Sequence, residues 1–258
     1  MNSRPNMNAE PLEERRLLST VVVINHVLTV TGNSDTANNI FVIYSADKSN
    51  IILKINGKEK HVSSNDITGL SLIGGDQPDQ IRISNVGNQF DIESTLIGGA
   101  GDDTLIGGDG HNLEIGGNGD DILVGGALDD TLVGGRGNDT IYCGAASDLI
   151  FGGEGNDSIV GGAGFDIIFG GNGDDIIKSG NNLSELFGNG GNNYLRVAGG
   201  DTVYAGGGND TVVGSVGSSG QLSLGEYPHL SKILGQLDPK VDRFHDATGR
   251  RADTSPLL

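Results

Sequence analysis

Aspartates recur at a fixed spacing through the middle of this chain, and that spacing is where chemistry could reside. Written in nines from Gly98, eleven units align without a gap to Arg196, and the sixth residue of most of them is a carboxylate. If two units make one coil of a solenoid, residues eighteen apart lie above one another and the sixth positions sort into two edges. The first edge runs Asp103, Asp121, Asp139, Asp157 and Asp175, then Asn193. The second runs Asn112, Asp130, Asp148 and Asp166, then Ser184. One eight-residue step later another unit carries Asp210, and that step is expected to disturb the stack.

Carboxylates stacked about 4.8 Å apart repel by about 0.9 kcal/mol per neighbouring pair even at the dielectric of water. Such a column calls for cations between its rungs. The donors on offer are carboxylates and the carbonyls of glycine-rich loops, a set that suits Ca²⁺, which takes six to eight oxygens in flexible geometry, better than Mg²⁺. Zinc and other transition metals favour His or Cys, and the repeats supply only His111 and Cys143. Aspartate is also a common loop former, so the residue type alone leaves a purely structural role open. On the second edge Leu128 and Ala146 replace the glycine at position 4, so metal is expected mainly on the first edge.

The elements that must position these residues follow from the rest of each nine. Positions 1, 2 and 4 are mostly glycine, as expected of a tight loop that needs positive φ. Position 8 is aliphatic in ten of the eleven units: Leu105, Leu123, Leu132, Ile141, Ile150, Ile159, Ile168, Ile177, Leu186 and Leu195. Each nine thus reads as one loop plus one short strand with a single inward side chain. Forty-five glycines and no tryptophan exclude an ordinary core of large side chains, and six prolines without a Gly-X-Y period exclude collagen. The net charge of -18 is concentrated between residues 98 and 213, where eighteen acidic residues face only Arg136, Lys178 and Arg196. That segment repels phosphates, which argues against nucleic acid or an anionic membrane as partner.

The nonapeptides, GGAGDD and GGNGDD among them, resemble the RTX (repeats-in-toxin), or hemolysin-type, calcium-binding repeat. The resemblance implies an all-β fold, a right-handed parallel β-roll, here with an irregular β N-terminal cap and a short C-terminal tail. It also implies that each Ca²⁺ lies between consecutive loops of one edge, held by position-6 aspartates and backbone carbonyls. Carried over, this gives four intervals on the first edge, between the successive aspartates from 103 to 175, and two candidates on the second, 130/148 and 148/166. Because the ligands meet only when coils stack, folding is expected to depend on the metal. The function implied is calcium binding by a secreted or surface roll with a structural or contact role. The alternative is a non-catalytic calcium-binding module associated with an RTX enzyme or cytolytic toxin.

Four stretches are distinguished along the chain: a tail over 1–20, a β cap with degenerate rungs over 21–97, the roll over 98–213, and a linker and tail over 214–258. GGDQPDQIR at 74–82 reads as a decayed unit with Asp79 at its sixth position, and LEERRLL at 12–18 resembles a sorting segment of some exported repeat proteins. HLSKILGQL at 229–237 has the pattern of a short capping helix. There is no HExxH or GxSxG motif and no run long enough for a membrane span, so no enzyme is expected. Cys143 is alone, which excludes an intramolecular disulfide. Glu114 falls at an inward position, which predicts that its strand is flipped or that it lies at the roll's mouth. Ile115, Val133, Phe151, Phe169 and Phe187 should form an outward apolar ladder, a candidate face for a protein partner or self-association.

Overall fold

A computed structural model describes residues 20–45, 49–84, 92–180 and 183–214, and the backbone of Gln221–Ser223, Lys232–Leu234 and Phe244–His245. Every helical or extended element among the described residues is a strand. They form two twelve-stranded sheets in which successive segments alternate, so each coil contributes one strand to each sheet. Pairing along the roll is parallel and steps by eighteen residues, as in Leu132 opposite Ile150 and Ile150 opposite Ile168. This is a parallel β-roll.

The alternation within each strand follows from the two-fold period of extended chain. In Leu149–Glu154 the inward Ile150 is buried and Phe151 is exposed, and in every unit the inward residue is buried while the next is half-buried or exposed. All ten position-8 aliphatics are buried, and with Leu96 and Leu28 they form one narrow continuous core.

The N-terminal end is built differently. Strands β1 (Thr20–Ile24) and β2 (Val27–Thr31) form an antiparallel hairpin, turning at Asn25 and His26, which have φ of 49° and 67°. On the other sheet β3 (Asn39–Tyr44), β4 (Asn50–Ile55) and β5 (Lys58–Ser63) form an antiparallel meander. β2 and β3 then pair in parallel with Gly69–Gly75 and Gln80–Ser84, so the solenoid begins a full coil before residue 74. Residues 21–30 are strand-forming in type throughout, yet they make two strands. The Asn-His pair breaks the run, because Asn tolerates the left-handed conformation a tight hairpin needs.

Two further expectations are corrected here. Lys232–Leu234 is a strand paired with Thr211–Gly214 and not part of a helix; the open edge of the sheet offers backbone partners that outweigh a short amphipathic pattern. The rest of 229–237, and the LEERRLL segment, lie outside the described residues. The eight-residue step leaves the stack intact: Leu186 pairs with Val203 and Leu195 with Val212, seventeen residues apart, with both valines buried.

Candidate metal-binding edges

Each sixth-position residue lies where the chain leaves a loop and enters a strand, and the coil geometry makes these positions face one another. The backbone amide of Asp103 donates to Asp121 Oδ1 at 2.8 Å, Asp121 to Asp139 at 2.8 Å, Asp139 to Asp157 at 2.8 Å and Asp157 to Asp175 at 2.9 Å. Asp79 joins the same column, its amide donating to Asp103 Oδ1 at 2.7 Å across twenty-four residues of chain. At the far end Asp175 donates to Asn193 Oδ1 and Asn193 to Asp210 Oδ1. All these carboxylates are buried, Asp103 being only 1% exposed.

The other oxygen is what matters. Oδ2 of Asp79, Asp103, Asp121, Asp139, Asp157 and Asp175 is buried without a hydrogen-bond partner, and so is that of Asp210. A buried, unpaired carboxylate oxygen is costly, and each such group calls for a ligand that supplies positive charge. The first glycine of each unit makes the space that these oxygens occupy. A Cβ on Gly116 would collide with Asp121 Oδ2 and crowd the carbonyl oxygen of Gly134 one coil on. Position-1 glycine is therefore required for close approach, not for positive φ as its sequence context suggested. Position 2 does need positive φ: Gly117 has φ of 122°.

The second edge is less uniform. Asn112, Asp130, Asp148 and Asp166 are linked in the same way, the amide of each donating to the next side chain at 2.7 to 3.1 Å. Asp166 then donates to Ser184 Oγ, and Ser184 to Asp201 Oδ1. Only Asp148 and Asp166 keep an unpaired Oδ2 on this edge, since Asp130 Oδ2 accepts from Gly126 at 2.6 Å and Asp201 Oδ2 from Ala198 at 2.7 Å. Ala146 holds the left-handed conformation without being glycine, with φ of 76°.

A second ladder on the first edge escaped the sequence reading. Position-5 side chains run the opposite way: Asp120 donates its amide to Asp102 Oδ1 at 3.0 Å, Asn138 to Asp120 at 2.7 Å, and the pattern continues through Asn156, Asp174, Asn192 and Asn209. The signal was present as Asp or Asn at every fifth position of that edge. On the other edge Phe165 and Leu183 interrupt it.

Burial pushes Asp103, Asp139, Asp148 and Asp175 up to about 7, and Asp121 and Asp130 up to about 6. The amide donated to each Oδ1 opposes the rise, and neighbouring carboxylates add to it in most of them. Asp79, Asp157, Asp166, Asp201 and Asp210 are raised for the same leading reason. Glu114 corrects its own prediction. Its strand keeps register, with Glu114 opposite Leu96 and Leu132, and Leu113 is 37% exposed beside it. The carboxyl is fully buried with no hydrogen bond of ordinary geometry to either oxygen, and burial raises it well above the usual range, Asp130 adding to the rise and the nearby backbone of Gly107 and Val124 opposing it. Cys143 is a free, buried thiol.

Among the described residues no three His, Cys, Asp or Glu side chains converge on one point. A metal on these edges would draw on carboxylates of successive rungs and on backbone carbonyls together, the oxygen-only set that suits Ca²⁺. The unpaired Oδ2 atoms and the glycine cradles fit that ion. No helix among the described residues is long and apolar enough to cross a membrane.

The comparisons agree with this donor set. A family model described as the RTX calcium-binding nonapeptide repeat (4 copies) matches residues 94–123, 115–150, 124–159, 151–182 and 187–219. No curated protein and no solved structure matches the chain at significance. The coils across residues 94–219 are RTX calcium-binding nonapeptide repeats.

Proposed function

We propose that the chain is a non-enzymatic, exported protein whose roll folds on binding Ca²⁺, with the ions concentrated on the first edge. The observation that carries this reading is the unbroken run of six buried, unpaired Oδ2 atoms from Asp79 to Asp175, against two on the second edge. Asp79 adds a fifth interval to the four expected from the repeats. On the second edge Asp148 and Asp166 bound the interval best suited to an ion, and Asp130 is weaker because its Oδ2 already accepts an amide. An extracellular site of action fits RTX repeat proteins, which are typically secreted. Calcium titration followed by calorimetry and far-UV circular dichroism tests the whole reading. Strand signal beyond that of the N-terminal coil should appear with calcium uptake, and a spectrum in excess chelator as rich in strand as that in saturating calcium would overturn the coupling of folding to metal.

The apolar ladder supports a contact role for the outer face. Phe151, Phe169, Phe187 and Tyr204 stack with ring centroids 5.1, 4.6 and 4.6 Å apart. Stacking along the roll already stabilises these rings, so the contact role is tested by Phe169→Ser: a lower oligomeric state supports it, and an unchanged oligomeric state and partner retention count against it.

A further inference from the structure

At three rungs a side-chain amide, of Asn38, Asn112 or Asn193, lies where neighbouring rungs present an aspartate Oδ2, and at the first two the amide nitrogen is fully partnered. The space above Gly98, Gly116, Gly134, Gly152 and Gly170 holds the unpaired Oδ2 of an aspartate. The equivalent space above Gly32 holds the side-chain amide of Asn38, and that above Gly107 holds the side-chain amide of Asn112 beside Oε1 of Glu114. Both asparagines are buried, and each lies immediately before the first carboxylate of its edge, Asn112 at the sixth position of its unit and Asn38 at the seventh residue from Gly32.

Their nitrogens are surrounded by oxygen. Asn38 Nδ2 donates to the Asn33 carbonyl at 2.9 Å, the Thr36 carbonyl at 3.0 Å and Asp79 Oδ1 at 2.9 Å. Asn112 Nδ2 donates to the Gly110 carbonyl at 2.8 Å and Asp130 Oδ1 at 3.0 Å, and reaches the Gly108 carbonyl at 3.4 Å. In each case two loop carbonyls and the carboxylate of the next coil converge on one electropositive group. Those are the kinds of donor Ca²⁺ takes. Residue type alone does not produce the arrangement, because Asn193 Nδ2, near the far end of the first edge, is buried without a hydrogen-bond partner.

We propose that Asn38 and Asn112 each take the place of a calcium ion, so that both edges begin on a rung that needs no metal. This rests on the calcium reading given above. The coil of β2, β3, Gly69–Gly75 and Gln80–Ser84 is then a metal-independent seed. It has the apolar content to stand without ions, since Leu28, Val30, Ile40, Val42, Leu72 and Ile81 are all fully buried there.

The test uses the full chain, calcium chloride and chelator. In chelator the wild type should keep amide-exchange protection at 27–31, 39–44 and 69–75 while losing it across 131–190. Asn112→Asp exchanges the amide for a carboxylate and should raise the calcium stoichiometry by one ion per chain. Asn38→Asp should make protection at 39–44 depend on calcium. Loss of wild-type protection at 39–44 in chelator overturns the proposal, and so does unchanged stoichiometry in Asn112→Asp. If Asn112→Asp does not fold at any calcium concentration, Asn38→Asp decides: protection at 39–44 that ignores calcium overturns it. A wild type that takes up no calcium overturns the calcium reading itself, which separates the two failures.

Discussion

The amide of Asp103 holds one oxygen of Asp121 at 2.8 Å, and the second oxygen of Asp121 is buried with nothing to hold it. One coil fixes the direction of the carboxylate of the next and leaves it half satisfied. Protons and calcium therefore compete for the same atoms, and the folded, metal-free column prefers the proton.

The pH dependence follows. With Asp103, Asp139 and Asp175 at about 7 when folded, against an ordinary carboxylate value near 3.8, the folded metal-free state binds more protons than the unfolded state between those limits. Its stability is fully present below about pH 4 and is lost as pH rises through about 7. In chelator, strand content should be greater at pH 5 than at pH 7.5. In calcium the midpoint should move to higher concentration as pH falls from 8 to 6. Calorimetry at pH 6.5 in buffers of different ionisation enthalpy should show protons released on binding.

Asp139→Asn keeps the Oδ1 that accepts from Asp121 and replaces only the unpaired oxygen. It should raise the calcium midpoint about tenfold, equivalent to roughly 1.4 kcal/mol. Asp130→Asn, where Oδ2 already accepts from Gly126, should raise it by less than about threefold, or roughly 0.7 kcal/mol. Equal effects at the two positions would show that the unpaired oxygens do not mark the stronger sites.

Gly116→Ala drives a methyl into Asp121 Oδ2 and against the Gly134 carbonyl. A loss of about 1–3 kcal/mol in calcium-saturated stability is expected from such overpacking. Gly190→Ala meets only Asn172 Oδ1 at 3.3 Å and the Gly171 carbonyl at 3.7 Å, and should stay within about 0.5 kcal/mol. Denaturant melts in calcium distinguish them.

Glu114→Leu should stabilise the roll. The carboxyl sits between Leu96 and Leu132 with no hydrogen bond of ordinary geometry to either oxygen, and an aliphatic there would complete the core column. Removing an unsatisfied buried group of this kind is worth about 1–3 kcal/mol. Thermal melts in saturating calcium should show a higher midpoint at unchanged calcium stoichiometry.

The roll was legible because its signal is local: one inward aliphatic and one sixth-position carboxylate in each nine fix both strand and edge. The position-5 ladder was harder to see, since it depends on which coil each amide points toward, and no single unit encodes that. Glu114 misled for the opposite reason. A lone polar residue suggests a slipped register, but the pairing of Leu113 with Thr131 and Ile115 with Val133 holds the strand in place. Tyr204 was missed from the aromatic stack because the eight-residue step broke the count, whereas strand pairing, which sets the real register, carried Phe187 directly onto it.

One coil carries weak rungs on both edges at once, Ser184 on one and Asn193 on the other. In a solenoid each coil is stabilised only by its neighbours, so a weakness that crosses both edges acts as a seam. It divides a single rod into two cooperative blocks, a long one ending at Asp175 and a short one holding Asp201 and Asp210. The short block should fray before the long block opens.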